Sequence, residues 1–119
     1  MVESERELLL RNLGEYFKFA ESAFREKSYN VAVTLYFKAL VSMCDLEILR
    51  REGRIPSNHT ERFALARKKY QELYDVLDKC FPLYRDSYVL RIEKDTAEFI
   101  RTEVYGLAER LGIGLKKER

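Results

Sequence analysis

The chain has 119 residues, of which 46% are hydrophobic and 35% charged, and its formal net charge is +2. That length suits one domain with a real core, spanning 1–119. The apolar share excludes a disordered chain, and the near-balanced charge excludes a broad nucleic-acid-binding surface. Charged residues exceed the usual quarter while Asn and Gln are scarce, a combination that suggests a thermophilic source. Cys44 and Cys80 form no C-x-x-C pair. The start, Met-Val-Glu-Ser-Glu-Arg-Glu, lacks the basic-then-apolar plan of an export signal, so a reducing cytoplasm is the expected setting.

The first helix opens at Ser4, where Ser4-Glu5-Arg6-Glu7 reads as a capping box. Leu10, Leu13, Phe17, Ala20 and Phe24 follow at spacings of three and four, which predicts one apolar stripe and a helix to about Lys27. Gly14 interrupts it at a cost of about 1 kcal/mol relative to Ala, and close packing against a neighbour is the expected compensation.

A second helix is capped by Ser28 or Asn30 and contains the stretch 31–49, which organises the chain. Its polar residues Thr34, Lys38, Ser42 and Asp45 recur at four, four and three, forming one narrow stripe on a helix otherwise apolar all round. Such a helix is buried by neighbours on several sides. A membrane span is excluded by Lys38, Asp45 and Glu47, since a charge at the bilayer centre costs about 2.5–3.5 kcal/mol. Arg50, Arg51, Gly53 and Pro56 mark its end, and a short connection makes the first two helices an antiparallel hairpin.

Asn58 caps a third helix with the stripe Phe63, Ala66, Tyr70, Leu73 and Leu77, with a possible break near Lys68-Lys69. Pro82 predicts a new helix start or a kink, 81–90 a short aromatic helix, and 91–94 a turn. The last helix starts at Asp95-Thr96-Ala97-Glu98, steps through Ile100, Val104, Leu107 and Leu111, and ends at Gly112 and Gly114 before a short basic tail. No alternating strand pattern occurs. The expected fold is all-α, an up-and-down antiparallel bundle of four to five helices.

His59 is the single histidine, and no His/Cys/Asp/Glu cluster has zinc spacing, so neither a metal nor a cofactor is expected. Arg54 and His59, five residues apart, form a candidate catalytic pair for metal-free RNA cleavage. An imidazole can move a proton at neutral pH, and a guanidinium can hold phosphate oxygens. The plainer alternative makes Arg54 a solvated loop charge and His59 a first-turn residue whose pKa the helix dipole lowers. Arg50, Arg51, Arg54, Lys68 and Lys69 form a candidate nucleotide- or phosphate-binding cluster beside a helix N-terminus, with a mixed solvated face as the alternative. Phe81, Tyr84 and Tyr88 are candidates to stack a base, or else belong to a core or dimer interface.

The order and spacing of three segments resemble the HEPN family (higher eukaryotes and prokaryotes nucleotide-binding), in its small stand-alone archaeal and bacterial branch. They are Tyr29-x-x-Ala32-x-x-x-Tyr36-x-Lys38-Ala39-Leu40, Gly53-Arg54-Ile55-Pro56-Ser57-Asn58-His59, and Tyr84-Arg85-Asp86-Ser87-Tyr88 before a final amphipathic helix. The resemblance implies a helical bundle, often a homodimer, that binds a nucleotide or RNA. It also implies pairing with a minimal nucleotidyltransferase in a toxin–antitoxin type of module. Some members are ribonucleases with an arginine and a histidine at the spacing of Arg54 and His59. The expected function is a binding or regulatory module, with a metal-independent endoribonuclease as the alternative. A tetratricopeptide-like interaction scaffold is a third reading, because Ala32, Tyr36 and Ala39 are echoed 34 residues later by Ala66, Tyr70 and Leu73.

Overall fold

A computed structural model of the protein describes residues 3–115; the basic tail, 116–119, lies outside the described residues. Five helices form: α1 (Glu5–Arg25), α2 (Tyr29–Glu52), α3 (His59–Lys69), α4 (Gln71–Asp86) and α5 (Lys94–Leu111), with no strand among the described residues. The all-α bundle expected from the periodicity is the fold observed.

Local signals place most of the ends. The Ser4 hydroxyl accepts the Glu7 N–H at 3.1 Å and the Glu7 carboxylate accepts the Ser4 N–H at 3.2 Å, completing the capping box. α1 closes with Lys27 in the left-handed region (φ 62°) and the Ser28 N–H donating to the Ala23 carbonyl at 2.8 Å. This is a Schellman turn with a lysine where glycine is usual. α2 ends on Gly53, whose φ of 80° needs no Cβ and whose N–H reaches the Leu49 carbonyl. Asn58 caps α3 through its side chain, accepting the Glu61 N–H at 2.9 Å.

α2 is the deepest element: Tyr36, Phe37, Leu40, Met43 and Ile48 are all buried. Cross-helix contacts fix an alternating order. Glu21 of α1 meets Arg101 of α5, Thr34 of α2 meets Ser87 at the C-cap of α4, and Lys79 of α4 meets Glu103 of α5. α1, α2, α4 and α5 therefore run up and down, and α3 is a side helix against α4, with Phe63 against Tyr74 and Phe81.

One buried carboxylate joins three of the four bundle helices. Glu21 accepts from the Tyr36 hydroxyl, from Arg101 Nε at 2.7 Å and Nη2 at 3.2 Å, and from the Tyr105 hydroxyl at 2.8 Å. Burial alone would raise its pKa, but the bonds from Arg101, Tyr36 and Tyr105 outweigh burial and hold it below the ordinary carboxylate value. The same burial, with the Glu21 charge beside it, raises the Tyr36 phenol well above its ordinary value.

Four local expectations are corrected. Ser28 makes no side-chain cap, and Asn30 caps nothing. Its amide instead donates to the Ser87 and Leu90 carbonyls at 2.8 and 2.7 Å and accepts the Ile92 N–H at 2.9 Å, fastening the turn between α4 and α5 to α2. The stripe from Phe63 to Leu77 is not one helix but is split just after the break offered at Lys68-Lys69, because the chain turns at Tyr70 (φ −130°, ψ 74°), whose hydroxyl donates to Glu52. The echo at Ala66, Tyr70 and Leu73 thus straddles two helices. Pro82 neither starts nor ends a helix: α4 runs through it to Asp86. The carbonyl that Pro82 leaves without a donor belongs to Asp78, an exposed residue.

Gly14 is the fourth. It is exposed, and a Cβ there would meet nothing within 4 Å, so no close approach compensates the glycine. Gly14→Ala should therefore stabilise the protein by about 1 kcal/mol and raise the melting midpoint by roughly 4 °C. Thermal denaturation followed by circular dichroism checks this; an unchanged or lower midpoint would show a constraint on Gly14 that the fold does not contain.

Candidate functional site

The polar stripe of α2 borders a cavity of about 210 Å³. Lys38, Ser42 and Asp45 come from α2, Asn12 and Tyr16 from α1, His59 from the first turn of α3, and Tyr84 from α4. Each helix contributes one face: the three α2 residues are the stripe itself, and Asn12 and Tyr16 are four apart.

Asp45 and Ser42 are buried, and the Asp45 carboxylate is met by Arg62 from α3 through Nε at 2.7 Å and Nη2 at 2.8 Å. Arg62 is itself buried, so this is a bidentate pair out of water. Its remaining nitrogen, Nη1, lies 2.9 Å from His59 Nδ1. A guanidinium only donates, so Nδ1 is the acceptor and the neutral imidazole carries its proton on Nε2. The His59 ring packs beside Phe37 and Phe81, with centroids at 6.2 and 5.8 Å. It titrates below its ordinary value, first because burial penalises the charged form, then because Arg62 stands against it, with Lys38 adding to this and Asp45 opposing. The lowering agrees in direction with the dipole argument, but its causes are packing and the guanidinium.

Lys38 is half-buried, and its ammonium lies 5.8 Å from the Tyr84 ring centroid. Among the described residues no carboxylate pairs with it. Tyr84 stacks on Phe37 at 4.6 Å between centroids and accepts a hydrogen bond from the Tyr88 hydroxyl at 2.6 Å, so the aromatic wall continues outward to an exposed ring. The stacking candidates Phe81, Tyr84 and Tyr88 thus form one cluster, with Tyr84 facing the cavity and Phe81 behind it.

Arg54 and His59 are held by different partners. Arg54 Nη1 pairs with Glu61 at 2.5 Å on the exposed side, while His59 shares the face of Arg62. The basic cluster is likewise dispersed among carboxylates. Arg50 and Arg51 both grip the buried Glu47, at 2.7 and 2.6 Å, and Lys69 reaches Glu52 at 3.3 Å. Lys68 is exposed on the last turn of α3. Four of the five are thus engaged by carboxylates, and Glu52 stands against both Lys69 and Arg54.

The residues the sequence reading missed as a site are Lys38, Ser42 and Asp45 with Arg62 behind them, and Asn12 and Tyr16 opposite. The signal that could have found them is the polar stripe itself. Four polar residues in line on a helix covered on all sides need either partners or a ligand.

No family model matches the chain, and no curated protein or solved structure matches it. Among the described residues no group of His, Cys, Asp and Glu could hold a metal ion, and no helix is long and apolar enough to cross a membrane.

The lowered His59 pKa has a signed consequence. The unfolded chain takes up the imidazole proton at higher pH than the folded one, so this contribution is full above about pH 6.5 and is lost as pH falls through the folded pKa. Urea denaturation of the parent and His59→Gln between pH 8 and 5 should show the parent losing stability relative to the variant as pH falls. A gap moving the other way would mean that a carboxylate, not Arg62, dominates the ring.

Proposed function

We propose that the protein is a binding and regulatory module whose cavity between α1, α2, α3 and α4 takes a nucleotide or a nucleotide unit of RNA. The observation that carries this is Lys38, a half-buried cation without a carboxylate, set against the aromatic face of Tyr84 beside a fixed His59 Nε2–H donor. A cation and N–H donors suit a phosphate, and Tyr84, with Tyr16 across the cavity, suits a base or sugar. The cavity is smaller than a typical drug-sized site, so it holds one part of such a ligand while the rest lies across the rim.

The ribonuclease alternative gains less support from this geometry. The nitrogen His59 would use as a base is occupied by Arg62, and Arg54 is engaged by Glu61. The HEPN resemblance supplies the remaining partners of the proposal, a minimal nucleotidyltransferase and a second copy of the chain, in a cytoplasmic setting that suits two free, buried cysteines. Phe19, Tyr88, Val89, Leu90 and Phe99 remain exposed, which supports self-association through an apolar surface.

Two measurements test the proposal. In heteronuclear NMR of the folded protein, mononucleotides should shift the amides around Lys38, Ser42, His59 and Tyr84, and Lys38→Met or Tyr84→Leu should weaken binding by about tenfold, roughly 1.4 kcal/mol. Absence of shifts at millimolar nucleotide with an intact fold would defeat the binding reading. Separately, sedimentation equilibrium at micromolar concentration should give twice the 14.2 kDa chain mass; a monomer mass would remove the homodimer.

A further inference from the structure

The charges around the cavity can be counted one by one. Asp45 and Arg62 cancel as a bidentate pair. His59 packs beside Phe37 and Phe81 and accepts from Arg62 through Nδ1, so burial first and then the guanidinium oppose its charging. Asn12, Ser42, Tyr16 and Tyr84 are uncharged donors and acceptors. Lys38 alone is left, so the site offers a single positive charge in a partly dry setting.

A phosphodiester carries one negative charge, whereas a phosphate monoester is largely dianionic above its second pKa of about 6. Desolvating a second negative charge without a second cation is costly. Polyphosphates add both charge and bulk to a space of about 210 Å³.

We infer that the cavity selects a phosphodiester, that of a cyclic mononucleotide or of an internucleotide linkage, over phosphate monoesters and polyphosphates. This rests on the nucleotide reading above and adds the ligand's charge state to it. The neutral donor His59 Nε2–H and the Lys38 ammonium hold the two free oxygens of the diester, and Tyr84 carries the adjoining sugar or base.

The test is calorimetric titration of the full chain at pH 7.5 with adenosine 3′,5′-cyclic monophosphate, the dinucleotide ApA, AMP and ADP. At least one diester should bind about tenfold or more tightly than AMP and ADP. Preference for the cyclic nucleotide marks a small-molecule site, and preference for ApA marks a strand. In Asn12→Lys, which adds a second cation to the cavity wall, AMP should gain on the preferred diester by a similar factor, with circular dichroism confirming the fold. AMP or ADP binding as tightly as the better-bound diester would overturn the selection while leaving the nucleotide reading standing. Failure of all four ligands on folded protein would overturn both. An unchanged preference in folded Asn12→Lys would show that charge is not its cause.

Discussion

The carboxylate of Asp45 sits on a helix that neighbours cover on several sides, and it is tolerated there because Arg62 reaches it with two hydrogen bonds. An unpaired charge at that depth would cost several kcal/mol. The pair therefore fixes where α3 must lie. With α3 so placed, Arg62 has one nitrogen left, and it sets the tautomer of His59. α3 is short and exposed over much of its length, yet the cavity exists because this one arginine anchors it to the deepest helix.

The site follows from the same constraint. A helix buried on several sides can carry polar residues only where they meet a partner or an opening. Asp45 meets Arg62, the Thr34 hydroxyl bonds the Asn30 carbonyl and lies 2.9 Å from the Ser87 hydroxyl, and Ser42 and Lys38 face the cavity. Both ends of the stripe are satisfied within the protein, while its middle opens onto the cavity, and the proposed ligand rests on that middle.

The fold was largely legible because its signals are local. The capping box at Ser4, the Asn58 cap, Gly53 past the end of α2 and the three-four stripes of α1 and α5 each depend on neighbours in sequence. What escaped was tertiary. The weakened pattern at Lys68-Lys69 hinted at a break, but not at its cause: the chain turns at Tyr70 so that its ring and hydroxyl meet Arg51 and Glu52 of α2. Asn30 reads as a cap by residue type, but its amide is used some sixty residues away. The site was legible only as a stripe. Spacing showed that Lys38, Ser42 and Asp45 share a face, but not that Arg62 would neutralise one of them and leave another unpaired. Arg54 and His59 stood out because they are close in sequence, whereas on the folded chain each answers to a different partner.

The Glu21 junction also bears on the order in which the protein can be completed. Glu21 and Tyr36 belong to a hairpin that leaves the ribosome before α5, while Arg101 and Tyr105 arrive 80 and 84 residues after Glu21. Until then the hairpin carries a carboxylate without its guanidinium, on a face that α5 covers. Domains tend to gain structure from the N-terminus as they are made. Here the α1–α2 hairpin stays unfinished until α5 has been synthesised, so closure of the bundle is tied to α5 and a product truncated before it retains an open, charged seam.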